Sequence, residues 1–197
     1  MTKKRIALLF GSFNPIHTGH LIIAESVASS TLAEEVWLVV SPQNPFKVRK
    51  NLLNQYDRLH LVQLAVEDNS ALRVSNIEFG LPKPSYTIDT LVYLKEKYPD
   101  YAFSLIMGED NLMHLHKWKN YEVLLKRYQI IVYPRPGYET NKFIDHPNVH
   151  RLEVPLLEIS ATYIRQRLKN GLSIRYLVPE KVYNYINGVD LWKQNKT

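Results

Sequence analysis

Cysteine is absent from the 197-residue chain, which excludes disulfides and thiolate-ligated metal sites and fits a cytoplasmic protein. No apolar run approaches the roughly 18 to 20 residues of a membrane-spanning helix, so no membrane association is expected. Met1-Thr2-Lys3-Lys4-Arg5 has the basic character of a signal-peptide start. The apolar stretch behind it, Ile6 to Phe10, reaches a glycine turn too soon to serve as a secretory core. No internal repeat, low-complexity tract or linker interrupts the chain. Residues 1–197 therefore read as a single domain, with about 158–197 as a small C-terminal helical extension docked on it. Long blocks of one charge sign are missing too. The 25 Lys+Arg outnumber 19 Asp+Glu for a net charge of +6, but they are dispersed, with Lys47-Val48-Arg49-Lys50 the densest cluster. That spread suits small phosphorylated anions better than a polynucleotide, so no nucleic-acid partner is expected. No compact carboxylate cluster suggests a dedicated metal cage, and the sequence is compatible with a homo-oligomer without setting a subunit number.

What is present is a βαβα rhythm in a chain that is 45% apolar. Apolar runs predict strands over 6–10, 36–41, 72–78, 102–107 and 129–133, with a weaker one over 150–154. Amphipathic stretches predict helices over 19–29, 54–67, 87–97, 111–115, 121–127, 161–169 and 179–186. Asn54 can cap the second helix, and Leu59, Val62, Leu64 and Val66 supply its apolar face. Alternation of this kind points to an α/β fold: a Rossmann-like parallel sheet with helices on both faces. In such a sheet the loops at the carboxyl ends of the strands converge on the ligand crevice. Residues 11–20, 42–50, 108–110 and 134–137 all lie at such ends.

The segment Gly11-Ser12-Phe13-Asn14-Pro15-Ile16-His17-Thr18-Gly19-His20 carries the most information. A buried strand, a tight Gly/Pro turn and a helix start follow one another directly. Helix N-termini present backbone N–H groups and a partial positive charge, and imidazoles at i and i+3 share one side of the first turn. This suits gripping a polyphosphate. It is not a Walker loop, because no Gly-Lys-Ser/Thr follows, and it lacks the G-x-G-x-x-G spacing.

Three further constellations stand out. Gly108-Glu109-Asp110 opens a helix, where glycine permits close approach and Asp110 can either cap the helix or accept from ribose hydroxyls. Trp118, between Lys117 and Lys119, has the polar setting of an exposed platform for a planar ring. Ser160, Thr162 and Arg165 make a second helix start suited to anions, although ordinary capping explains the serine alone. Ser85 to Leu91 reads on physics alone as a well-capped helix.

His17-Thr18-Gly19-His20 resembles the H-x-G-H signature of the nucleotidyltransferase superfamily. With the blocks at 11–20, 85–91, 108–118, 135–137 and 159–165 in order, the whole chain resembles the bacterial nicotinate-nucleotide adenylyltransferases. That resemblance implies ATP and nicotinate mononucleotide as substrates, with Mg²⁺ carried by the ATP. It implies that Gly11, Ser12 and Phe13 line the nucleotide crevice, and that His17 and His20 contact the ATP phosphates. Arg165, with Ile159, Ser160 and Thr162, would hold the phosphate tail, and Lys47 would approach the phosphates from its loop. Gly108 and Asp110 would hold the ATP ribose. Trp118, Thr87, Lys119 and Arg135 would bind the mononucleotide, with Trp118 stacked on the pyridine. The chain departs from many relatives at Phe10, where they carry glycine, at Asn14, where they carry aspartate, and at Lys119, where tyrosine is usual. Other H-x-G-H transferases acting on phosphopantetheine or with CTP are the nearest alternatives, and a nucleotide-sensing or RNA-binding module lies further off.

Overall fold

The computed structural model describes residues 2–42, 52–138, 142–156, 158–189 and 191–192. Its centre is a six-stranded, all-parallel sheet: β1 (Lys4–Gly11), β2 (Glu35–Val40), β3 (Leu72–Ser75), β4 (Tyr101–Gly108), β5 (Gln129–Tyr133) and β6 (Val149–Arg151). The spatial order is β3-β2-β1-β4-β5-β6. Helices α1 (Thr18–Ala28), α2 (Gln55–Val66), α3 (Thr87–Lys97), α4 (Glu109–Met113), α5 (Tyr121–Arg127), α6 (Ala161–Lys169) and α7 (Glu180–Val189) cover it.

Strict alternation along the strands sorts side chains into two cores, as period-two geometry requires. Ala7, Leu9, Val36, Leu38 and Val40 face the layer of α1, α2, α6 and α7, where Ala24, Val62, Ile164 and Val182 pack. Ile6, Leu8, Trp37 and Val39 face α3, α4 and α5, meeting Leu91, Leu112 and Leu124. Both faces of the sheet are therefore dry, which is why β1 and β4 read as unbroken apolar runs. No helix among the described residues is long and apolar enough to cross a membrane.

Several elements differ from the sequence expectation. β3 stops at Ser75, because Ile77–Gly80 turns into a 3₁₀ segment that buries Glu78. β6 has three residues rather than five and starts one residue earlier. α4 begins at Glu109, with Gly108 as N-cap, and a separate 3₁₀ turn spans Leu115–Lys117. In α2 the fully inward positions are Arg58, Leu61, Val62 and Val66, while Leu59 and Leu64 are only partly covered. Asn54 does cap α2, accepting from the Tyr56 N–H at 2.9 Å.

Candidate active site

The order of strands reverses direction between β1 and β4, which leaves a crevice outside their carboxyl ends. A cleft of about 630 Å³ occupies it. Residues Gly11, Ser12, Phe13, Asn14, His17 and His20 from the β1–α1 turn form one wall. Ser85 to Ile88 at the start of α3, with Trp118 and Lys119, form another. Asp110, Arg135, Ile159, Ser160, Thr162 and Arg165 complete it. Of the residues expected from sequence, Lys47 lies outside the described residues, and Gly108 is buried at the end of β4, off the cleft wall.

The two histidines are stacked, ring centroids 3.7 Å apart and planes 26° from parallel. His17 is the N-cap residue of α1 and is 6% exposed. Burial, helped by the nearby Arg135 charge, lowers its pKa to about 4, so the ring is neutral at physiological pH. His20 Nδ1 accepts from the His17 backbone N–H at 3.3 Å, so a neutral His20 carries its proton on Nε2. At Gly19 the space is tight, since a Cβ there would lie 3.1 Å from His17 Nδ1 and press on the imidazole. Gly11 is more constrained, since a Cβ would meet the buried Phe13 ring at 2.7 Å.

Helix α6 is tied to this turn. Arg165 Nη1 donates to the Asn14 carbonyl at 2.7 Å and Nη2 to Thr162 Oγ1 at 3.0 Å. Ser160 caps α6 by accepting from the Tyr163 N–H at 3.2 Å, so its plain capping function holds whatever else it does. The start of α6, its arginine and the paired histidines thus share one cleft, 140 residues of sequence apart between His20 and Ser160.

At the end of β4, a Cβ on Gly108 would collide with the Asp110 carboxylate and crowd the Tyr133 ring at 3.1 Å. The close approach that this glycine permits is therefore that of Asp110. Gly108, not Asp110, is the N-cap of α4, and Asp110 sits in the first turn, where the helix dipole favours a carboxylate. Asp110 Oδ1 stands 3.8 Å from Arg135 Nε, and neither atom has a hydrogen-bond partner among the described residues. Glu109, 1% exposed, accepts from the Arg135 backbone N–H at 2.9 Å and from Arg151 Nη2 at 2.8 Å, fixing the 134–137 loop. Arg135, expected with the mononucleotide group, has Asp110, Tyr133 and the field at His17 as its neighbours.

At the far end, Thr87 and Trp118 are half-buried on the cleft wall, and Trp118 packs its edge against the α3–α5 core. Lys119 is exposed. Its ammonium group meets both carboxylate oxygens of Asp89, at 2.8 and 3.0 Å, and lies 5.0 Å from the Tyr86 ring centre.

Two buried polar residues beside the cleft, Arg58 and Glu78, escaped the sequence reading, and a third, Asn14, entered it only as a departure from relatives. Arg58 is fully buried, with its pKa lowered to about 10 by burial, and stays charged. Glu78 lines the cleft, accepts from Thr90 Oγ1 at 2.9 Å, and burial raises its pKa. Asn14 accepts at Oδ1 from the Leu53 N–H at 3.2 Å, a bond that an aspartate carboxylate could also accept. For Arg58 the signal was present: it falls at i, i+4 and i+8 with Val62 and Val66.

An all-parallel sheet reversing beside a histidine-bearing helix start, with a second basic helix start facing it, defines a nucleotidyltransferase-class α/β protein. Residues 8–167 match the cytidylyltransferase-like family model. A probable nicotinate-nucleotide adenylyltransferase of Flavobacterium psychrophilum is 52% identical over 192 residues, covering 96% of this chain and all of that protein. One of the same description from Cytophaga hutchinsonii is 53% identical over 182 residues, covering 92% of this chain and 95% of that one. The chain belongs to the nicotinate-nucleotide adenylyltransferase family. The fold agrees with that of Plasmodium falciparum nicotinic acid mononucleotide adenylyltransferase complexed with NaAD, at TM-score 0.82 and 21% identity over 96% of this chain and 97% of that one.

Proposed function

We propose that this protein transfers the adenylyl group of ATP to nicotinate mononucleotide, giving nicotinate adenine dinucleotide and pyrophosphate, a step of NAD biosynthesis. The carrying observation is the stacked His17–His20 pair at the start of α1, joined through Asn14 to Arg165 of α6 at the sheet's reversal point. A phosphate oxygen of the mononucleotide attacks the α-phosphorus of ATP in line. A new P–O bond forms, the α–β bridging P–O bond breaks, and pyrophosphate leaves with its electron pair. The nucleophile is already an anion, so no residue need remove a proton, and no covalent enzyme intermediate forms. Catalysis is positioning and stabilisation of spread negative charge.

In this reading His20 donates from Nε2 to the phosphates, and neutral His17 packs behind it and faces them as a hydrogen-bonding imidazole. Arg165, Ser160 and Thr162 hold the departing phosphates, beside Ile159. Lys47, from its basic loop, adds charge. The backbone of Gly11, Ser12 and Phe13 borders the reacting groups, and Asp110 accepts from the ATP ribose beside Gly108. Trp118 stacks on the pyridine, and Thr87 with Lys119 reads its carboxylate. Arg135, beside His17, reaches the mononucleotide from its phosphate side. Mg²⁺ enters as the Mg·ATP substrate, its ligands mostly phosphate oxygens and water. The whole chain acts as one domain, since α6 supplies part of the site, and its lack of cysteine suits the cytoplasm.

The test is pyrophosphate release from Mg·ATP with nicotinate mononucleotide and, separately, nicotinamide mononucleotide. Release with the acid form is expected, well above that with the amide. Equal release with both would keep adenylyl transfer and overturn the Thr87–Lys119 pocket. Release with neither would overturn the reading altogether.

A further inference from the structure

Arg58 occupies a core position of α2 and is 0% exposed. Four of its five N–H donors go to main-chain carbonyls. Nε donates to Leu53 at 3.1 Å, Nη1 to Ser12 at 2.6 Å and to Ser41 at 2.8 Å, and Nη2 to Pro42 at 3.2 Å. These acceptors belong to three separate segments: the turn after β1, the end of β2, and the approach to α2. No carboxylate pairs with Arg58 among the described residues. An aliphatic side chain of similar volume would pack this helix without the penalty of an unpaired interior charge. What it could not do is hold three segments at one spacing, which the rigid guanidinium fork does.

Two of those segments border the cleft. Ser12 and Ser41 both line it. The Ser12–Phe13 peptide is trans, so with its carbonyl directed inward to Arg58 the Phe13 N–H, in the same plane, points the opposite way. Leu53 is held twice, by Arg58 at its carbonyl and by Asn14 at its N–H, and Asn14 is itself held by Arg165. A continuous line of hydrogen bonds thus runs from α6, through the β1 turn, to the interior of α2.

We propose that Arg58 is a positioning residue for adenylyl transfer: by fixing the Ser12, Ser41–Pro42 and Leu53 carbonyls together, it sets the peptide orientation and spacing of the turn that meets the reacting phosphates. The assignment rests on the adenylyl-transfer reading above. Arg58 is sealed from the cleft by the segments it holds, so its effect falls on alignment in the transition state rather than on ground-state binding.

Variants R58K and R58M, compared with wild type, test this by steady-state kinetics on both substrates, normalised to folded protein. Expected is a fall in kcat of about 10- to 100-fold for R58M, the scale of a small misplacement of reacting groups, with both KM values within about threefold. R58K, which keeps the charge and loses the fork, falls to an intermediate kcat. A wild-type kcat per folded molecule in either variant, however far its melting temperature drops, overturns the assignment. So does a rise in KM at unchanged kcat. Should neither variant fold, R58Q decides, because it keeps two N–H donors but loses the charge and the fork. A kcat reduced about three- to tenfold at unchanged KM supports the proposal, and an unchanged kcat overturns it. Wild type that itself releases no pyrophosphate would overturn the adenylyl-transfer reading instead.

Discussion

Replacing His17 with asparagine should flatten the acid side of the stability curve. The folded-state pKa of His17 is about 4, against an ordinary value of 6.5, because the ring is buried and because Arg135 lies near it. As pH falls through 6.5, the unfolded chain takes up a proton that the folded ring refuses. Stability from this group is therefore complete above about pH 6.5 and lost progressively down to about pH 4. Each pH unit in that window is worth about 1.4 kcal/mol, so lowering the pH to 5 removes about 2 kcal/mol. Asparagine cannot titrate and is a favoured N-cap, so H17N keeps the helix start and loses the pH term. The assay is denaturant unfolding of both proteins at pH 7.5 and pH 5. Wild type should lose about 2 kcal/mol more than H17N between the two, with other titrations cancelling in the comparison. Equal losses would refute the buried, neutral histidine. Removing the Arg135 charge by R135M should narrow the window only partly, since burial is the larger cause.

Three other outcomes follow from the cleft. His20→Ala should lower turnover by about 10² to 10³ while leaving the circular dichroism spectrum unchanged, the usual loss for one preorganised donor; a rate near wild type would remove His20 from the chemistry. Trp118→Ala should raise the KM for nicotinate mononucleotide and leave that for ATP alone, and equal changes in both would contradict stacking on the pyridine. Gly108→Ala forces Asp110 and Tyr133 apart and should destabilise by about 1 to 3 kcal/mol, with a higher KM for ATP; a fully stable variant with normal ATP affinity would mean that the site opens more easily than the packing implies.

Much of this architecture is legible in the amino-acid sequence. Strands buried on both faces read as apolar runs, so β1, β2, β4 and β5 declared themselves, and the H-x-G-H turn located the crevice. Asn54 and Ser160 were recognisable as caps because capping is local chemistry. What could not be read depended on contacts across the chain. Glu78 extends an apolar run on paper, yet its carboxylate turns inward to Thr90, so the strand ends early. Arg58 drew no sequence expectation, because a charged residue on an amphipathic helix is ordinarily solvated, although it shares its phase with Val62 and Val66. Lys119 is expected with the mononucleotide on resemblance, and in the fold Asp89, 30 residues away in sequence, holds its ammonium group. Arg135 lies in a short motif that names no structural neighbour, and the groups around it come from α4, β5 and the N-cap of α1.

The bond between the Thr18 N–H and the Leu177 carbonyl, at 3.0 Å, and that between Arg165 and Asn14 have a bearing on how the protein is made. The first functional turn to leave the ribosome waits for partners encoded about 150 residues later. A nascent chain carrying β1 to β5 has most of the sheet, but its β1–α1 turn has neither the arginine that holds the Asn14 carbonyl nor the carbonyl that accepts from Thr18. The β1–α1 turn is therefore completed late in synthesis, when α6 and α7 dock. Partly synthesised or C-terminally clipped chains would then hold a folded sheet without sequestering ATP.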